Sequence, residues 1–270
     1  MPVLRVPLTV PTREGGVLDG VLSRPAELAL TGEDAVAAPS GARPPLVVVS
    51  HGFRSDLTRT QPVADDLAEA GAATYRFTFR GGSAAGDMTG MSVLTEIADL
   101  ADVIDAALAG SASGEGEWGA VDATRLALVG QSQGGAVSLY TAARRPESVA
   151  SVVAWYPALC ITDDLHRGLG SLDAVGETFT WMGQLLGRRY AADVWDLDVD
   201  AELARVTAPT LLVHGTHDPL VPLTWSERAA DVIPDARLLR VNGAQHGFHA
   251  TDLATALAAT RAHLARTGIL

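Results

Sequence analysis

The residues best suited by type and spacing to do chemistry lie in Gly130-Gln131-Ser132-Gln133-Gly134-Gly135. The apolar run Leu126-Ala127-Leu128-Val129 leads into it, and helix-compatible sequence follows from Ala136. Gly-x-Ser-x-Gly between a buried strand and a helix is the pattern of a nucleophile elbow. Such a turn is tight and strained, so a side chain at Gly130 or Gly134 would collide with the neighbouring strand or helix. A serine hydroxyl at neutral pH needs a base to take its proton, an acid to orient that base, and donors for the developing oxyanion.

Each part has a candidate, in the chain order Ser, acid, His common to elbow serines. Asp218 is the acid, in Thr210-Leu211-Leu212-Val213-His214-Gly215-Thr216-His217-Asp218-Pro219. The strand at 210–213 carries that loop to the C-terminal edge of a sheet, where open α/β folds bind ligands. His246 is the base, just past an apolar strand and before the last helix, so it can reach the same edge. His166, His217, His249 and His263 suit the role less by position. The oxyanion donors are the backbone N–H groups of Gln133, directly after the nucleophile, and Phe53, in the loop Ser50-His51-Gly52-Phe53. His51 reads as a structural residue that holds this loop.

The elements that must position these residues alternate. Strands are expected at 3–10, 17–23, 46–49, 73–79, 126–129, 149–155, 210–213 and 236–241. Helices are expected near 60–70, 92–109, 133–144 and 251–265, and residues 31–45 read as a surface loop. Leu46-Val47-Val48-Val49 is the continuous run of a strand buried on both faces. The alternation implies a mostly parallel, doubly wound sheet with right-handed crossovers. About 50 residues separate the strands at 149–155 and 210–213, more than a plain crossover requires. Residues 157–205 are therefore expected to form an inserted cap over the site, within one domain spanning 1–270.

The 270 residues are 47% apolar, enough for a full core, and carry a net charge of −12. That charge argues against nucleic acid or an anionic membrane as partner. All 20 basic residues are Arg, which reads as coding bias. A lone cysteine, Cys160, excludes an internal disulfide. No run approaches the roughly 20 apolar residues of a membrane span, and the first residues lack a leader pattern. A cytoplasmic protein is expected, and a homodimer is compatible with the sequence. No metal and no cofactor are expected: there is no His-Glu-x-x-His, no clustered Cys/His spacing, and no phosphate-cradling loop.

With these residues in place, the chain resembles the α/β-hydrolase superfamily and, within it, the bacterial cinnamoyl (feruloyl) esterases. The wider resemblance rests on His51-Gly52-Phe53, the elbow, His214-Gly215-Thr216-His217-Asp218 and His246. The narrower one rests on Tyr75-Arg76-Phe77-Thr78-Phe79-Arg80-Gly81-Gly82-Ser83, on Asp87-Met88-Thr89-Gly90-Met91-Ser92-Val93-Leu94-Thr95-Glu96-Ile97-Ala98-Asp99, and on Gln131-Ser132-Gln133-Gly134-Gly135. Thr78 departs from the acidic residue usual there, and Gln131 from a common His. The resemblance implies an α/β-hydrolase fold of about eight strands with a small cap. It also implies that an aspartate early in the cap meets a phenolic hydroxyl of the substrate. Asp164 falls near that position, with Asp163 as a rival if the register slips. Trp155, Trp181 and Trp195 lie in or beside the cap and either line an aromatic acyl pocket or pack the cap down.

The expected reaction is hydrolysis of a small ester, hydroxycinnamate or simple aryl or alkyl, through an acyl-enzyme. An acyl-peptide or prolyl-type peptidase is a second reading, and a catalytically silent binding module a third. The presence of Ser132, Asp218 and His246 together argues against the last.

Overall fold

Four apolar runs become the central parallel strands, and the residues between them become the helices that cover both faces. The computed structural model describes residues 2–26, 43–82 and 86–270. β1 (Val3–Pro11) and β2 (Val17–Pro25) form an antiparallel hairpin. β3 (Pro45–Ser50), α1 (Gln61–Glu69), β4 (Ala73–Phe77) and α2 (Val93–Ser113) follow, then β5 (Asp122–Gln131) and α3 (Gln133–Arg144). After β6 (Ser151–Trp155) come α4 (Ile161–Leu169), the short hairpin β7 (Thr178–Trp181) and β8 (Gln184–Gly187), α5 (Arg189–Ala192) and α6 (Val199–Leu203). The chain closes with β9 (Thr210–Gly215), α7 (Leu223–Val232), β10 (Ala236–Val241) and α8 (Ala250–Arg266).

Eight strands pair in the order β1-β2-β4-β3-β5-β6-β9-β10. The β1–β2 and β2–β4 pairings are antiparallel, and every pairing from β4 to β10 is parallel. This is the α/β-hydrolase fold expected from the sequence. Alternation within the strands splits the core in two. Val47, Val49, Ala127, Val129, Val153 and Val213 pack on the α1 and α8 side, while Leu46, Val48, Leu126, Leu128, Val152 and Leu212 pack on the side of α2, α3 and α7. Helix α2 starts on Ser92, whose hydroxyl accepts from the Thr95 N–H while Thr95 Oγ1 accepts from the Ser92 N–H. It ends on Gly114 at φ 72°.

Several boundaries differ from expectation, most of them by one or two residues. The strand expected at 73–79 stops at Phe77: the Thr78 N–H still reaches the Asp19 carbonyl of β2 (3.0 Å), but side chains take the donors beyond it, His51 Nε2 the Phe79 N–H (3.1 Å) and Asp99 the Arg80 N–H (2.9 Å). The elbow strand is longer than 126–129, and α2 runs four residues past 109. Most of the loop expected at 31–45 lies outside the described residues; Pro45 already belongs to β3. Among the described residues no helix is long and apolar enough to cross a membrane.

Candidate active site

The β5–α3 junction puts Ser132 at φ 54° and ψ −121°, a conformation that L residues rarely adopt. The flanking glycines are required by space. A Cβ on Gly130 would lie 2.2 Å from the Gly134 carbonyl oxygen, and one on Gly134 would lie 2.2 Å from the His51 carbonyl oxygen. The Ser132 N–H donates to the Trp155 carbonyl of β6 at 2.9 Å, which fixes the turn against the next strand.

Loops from two other strand ends meet the serine. His246 Nε2 lies 3.0 Å from Ser132 Oγ, and His246 Nδ1 lies 2.7 Å from Asp218 Oδ2. The geometry assigns the Nδ1–H tautomer, so Nε2 is free to accept the serine proton. Asp218 Oδ1 accepts the Leu220 and Val221 N–H groups, both at 2.9 Å. Burial pushes the Asp218 carboxyl up. Hydrogen bonds from His214, His246 and the Val221 N–H outweigh that and hold it well below the usual carboxylate range.

His214 has no role that the sequence alone assigns. It is fully buried beneath the site, with Ser226 Oγ 2.7 Å from Nδ1 and the Val221 carbonyl 3.0 Å from Nε2. Its only signal in sequence is its spacing four residues before Asp218. His51 sits where a structural role requires: Nδ1 is 2.8 Å from the Gly52 carbonyl and Nε2 accepts from Phe79. Burial lowers its pKa to about 4, so it is neutral at pH 7.

The Gln133 N–H opens α3, where no carbonyl lies one turn back. Neither it nor the Phe53 N–H is spent on a carbonyl of the described residues. The Gln133 side chain points the other way. Its Nε2 donates to Glu96 Oε2 (2.8 Å), and Tyr190 Oη donates to its Oε1 (2.7 Å). Glu96 is 1% exposed, and burial raises its pKa to about 8, against the opposing Gln133 hydrogen bond. In sequence Glu96 stands out only as part of the 87–99 stretch that carries the resemblance, with no role attached.

Two hollows open on either side of Ser132. One, of about 330 Å³, lies against the 157–205 segment and is lined by Asp164, Trp181, Ile161, Cys160 and Tyr190. Asp164 faces it from the first turn of α4, with Arg167 at 3.1 Å; Asp163 does not line it. Trp181 packs so closely on α4 that a Cβ on Gly168 would lie 2.4 Å from its ring. The second hollow, of about 550 Å³, is bounded by the His246 loop and the loop after β3. Of the three tryptophans in or beside the cap, Trp155 is turned mainly into the core. Its side chain is 1% exposed, donates to Thr260 Oγ1 of α8 at 3.0 Å and packs at a tilt against Phe248, so it reaches the second hollow only as a back wall. Trp195 packs on His166 rather than over the serine. Among the described residues no group of three or more His, Cys, Asp or Glu is placed to hold a metal ion.

Residues 42–193, over half of the chain, match the model of the family described as serine aminopeptidase, S33. The chain belongs to that family of α/β hydrolases. Residues 187–269 also match the model described as TAP-like protein. A provisionally named carbamate hydrolase RutD of Variovorax paradoxus is 26% identical over 257 residues, covering 81% of this chain and 90% of the relative. The human serine hydrolase BPHL is 27% identical over 144 residues, 46% of this chain and 50% of that protein. Among solved structures, Est1E of Butyrivibrio proteoclasticus with bound ferulic acid superposes with a TM-score of 0.76 at 20% identity, over 97% of this chain and 99% of Est1E. That likeness is one of fold.

Proposed function

We propose that this α/β hydrolase is a cofactor-independent serine esterase. The observation that carries the reading is the continuous relay Asp218–His246–Ser132, with spacings of 2.7 and 3.0 Å, at a strained elbow. Ser132 Oγ bonds to the ester carbonyl carbon as its proton passes to His246 Nε2. The carbonyl oxygen takes the negative charge, facing the unspent N–H groups of Gln133 and Phe53. The C–O bond to the alcohol then breaks, and the alcohol oxygen takes the proton from Nε2. Water, deprotonated by the same nitrogen, attacks the acyl-enzyme and releases the acid and Ser132. Asp218, kept ionised by its hydrogen bonds, holds the imidazole tautomer and favours its charged form.

The 157–205 segment acts as a cap, and the hollow under it receives the acyl half. Its mix of Trp181, Tyr190 and Ile161 with one carboxylate, Asp164, suits a flat aromatic acyl group carrying a hydroxyl, as in hydroxycinnamates. Simple aryl and alkyl esters fit the same reading. The partner is thus a small ester, in a cytoplasmic setting, with neither nucleic acid nor membrane; a homodimer stays part of the proposal.

The test is initial rates on methyl ferulate, methyl p-coumarate and the p-nitrophenyl esters of acetate, butyrate and octanoate, with Ser132→Ala as blank. Turnover that vanishes in Ser132→Ala supports the mechanism; equal activity in the variant overturns it. Preference for hydroxycinnamates supports the narrower substrate class, and their rejection returns the enzyme to a general carboxylesterase. The family description favours a second reading, removal of an amino-terminal residue, in which Asp164 would meet a substrate ammonium. Faster turnover of aminoacyl anilides than of any ester would select it.

A further inference from the structure

We propose that the hollow on the His246 side of Ser132 is a subsite for an anionic group on the alcohol half of the substrate, so that preferred esters carry a carboxylate on the leaving alcohol. This rests on the esterase reading above and narrows its substrate class.

The two hollows differ in charge. Asp164 lines the one under the cap, whereas no Asp or Glu lines the other. Arg59 lines this hollow alone, Arg54 lines both, and Ser55, Thr58 and His249 complete the polar wall. Both arginines are exposed to the cleft, and neither is ion-paired with a carboxylate of the described residues. Arg54 gives one N–H to the Met182 carbonyl at 2.9 Å, and Met182 lines the cap-side hollow, so Arg59 is the cation particular to this one. Asp56 is the nearest acid in that loop. Its Oδ1 is occupied by the Thr58 N–H (2.8 Å) and Oγ1 (2.5 Å), so it acts on Arg59 only through space. Pro62 and Val63, in the first turn of α1, line the same wall and bring the positive end of that helix to it.

A chain of net charge −12 repels anions in general. The guanidinium fork of Arg59, unpaired with any carboxylate of the described residues, reverses that locally, and a planar fork matches a carboxylate. Reaction geometry says which half of the ester goes there. The leaving oxygen must take its proton from His246 Nε2, so it departs toward the loop 246–249, and that loop walls this hollow. The acyl half is left with the cap side, where a second carboxylate would face Asp164.

Phenol esters isolate the effect. The specificity constant for meta-acetoxybenzoate is compared with that for meta-acetoxybenzamide, which has the same shape without the charge. Monophenyl succinate against phenyl butyrate places the charge on the acyl half instead. The wild-type enzyme is expected to prefer the carboxylate to the amide by about tenfold, the size a charge-assisted pair supplies. Arg59→Gln is expected to cut that ratio to near one and Arg59→Lys to retain part of it. The succinate ester should gain nothing over the butyrate. A wild-type ratio at or below one, or a ratio untouched by Arg59→Gln, overturns the subsite while esterase activity stands. Preference for charge on the acyl half also overturns it. If no ester is turned over, the esterase reading fails and this inference with it.

Discussion

Tyr190 donates its hydroxyl to Gln133 Oε1 at 2.7 Å, tying the 157–205 segment to the residue that follows the proposed nucleophile. Gln133 thus has two faces: its backbone N–H is offered to the site, and its side chain is clamped between Tyr190 and Glu96. A second link runs from Ser92 Oγ, at the start of α2, to Asp193 Oδ2 at 2.5 Å, just beyond α5. With the bond from Arg54 to the Met182 carbonyl, the 157–205 segment is therefore tied to the main body at three points near the site.

Tyr190→Phe should loosen this clamp without altering the shape of the pocket. The Gln133 carbonyl oxygen loses its donor in a buried position, a cost of about 1–3 kcal/mol. The melting temperature should fall by several degrees, and kcat on p-nitrophenyl acetate should fall with it while KM moves little. A lower melting temperature with unchanged kcat would make Tyr190 structural only.

Glu96→Gln tests the buried carboxyl through pH. Burial raises the Glu96 pKa from an ordinary 4.5 to about 8. Its contribution to stability is whole below the unfolded value. It is lost as pH climbs to the folded value, because the unfolded chain releases the proton that the folded chain must keep. The limiting slope is about 1.4 kcal/mol per pH unit. Asp218 is shifted the opposite way and acts at lower pH, and Asp99, raised to about 6, contributes in both proteins. Urea unfolding at pH 5 and pH 8 should show the wild type losing more stability across this window than Glu96→Gln. Equal losses would remove the buried-acid assignment.

The central strands are legible in sequence because β-branched runs such as Val47-Val48-Val49 are buried on both faces and need no partner to be recognised. Ser132, Asp218 and His246 are legible because each sits just past a strand, and the sheet brings those ends together. Helix α7 is not: Ser226 and Ala229 are its buried residues, so it shows no apolar stripe. The hairpin β7–β8 buries only Leu186 and Gly187 fully, and its strands are four residues each, too short to stand out in sequence. Glu96, Gln133 and Tyr190 meet only in space, 37 and 57 residues apart along the chain, and no local spacing announces them. Trp155 is ambiguous in sequence because an indole at a strand end can face either layer; the Thr260 hydroxyl decides for the interior.

Gly134→Ala should be among the most damaging single changes. The added methyl would sit 2.2 Å from the His51 carbonyl oxygen and 2.7 Å from that of Ser50, both backbone atoms at the end of β3. Overpacking against main chain costs about 3 kcal/mol or more. Gly90→Ala, where nothing lies within 4 Å, is the matched control and should stay within about 0.5 kcal/mol of the wild type. Urea midpoints of the two variants measure the difference; similar midpoints would mean that the elbow yields more easily than its contacts imply.

Ser132→Gly and Ser132→Ala separate the cost of the elbow from its chemistry. Both remove the hydroxyl, so both should lose turnover. They differ in how they meet φ 54° and ψ −121°. Alanine keeps the Cβ and so keeps the strain, about 1–3 kcal/mol for a residue held there. Glycine relieves it but gives the unfolded chain extra freedom, an opposing effect of about 0.4–1 kcal/mol. The balance leaves Ser132→Gly more stable than Ser132→Ala by about 1 kcal/mol, a few degrees in melting temperature for a chain of this size. A glycine variant that melts at or below the alanine variant would show that the β5–α3 turn holds Ser132 with little strain, and that its conformation comes at no cost to the fold.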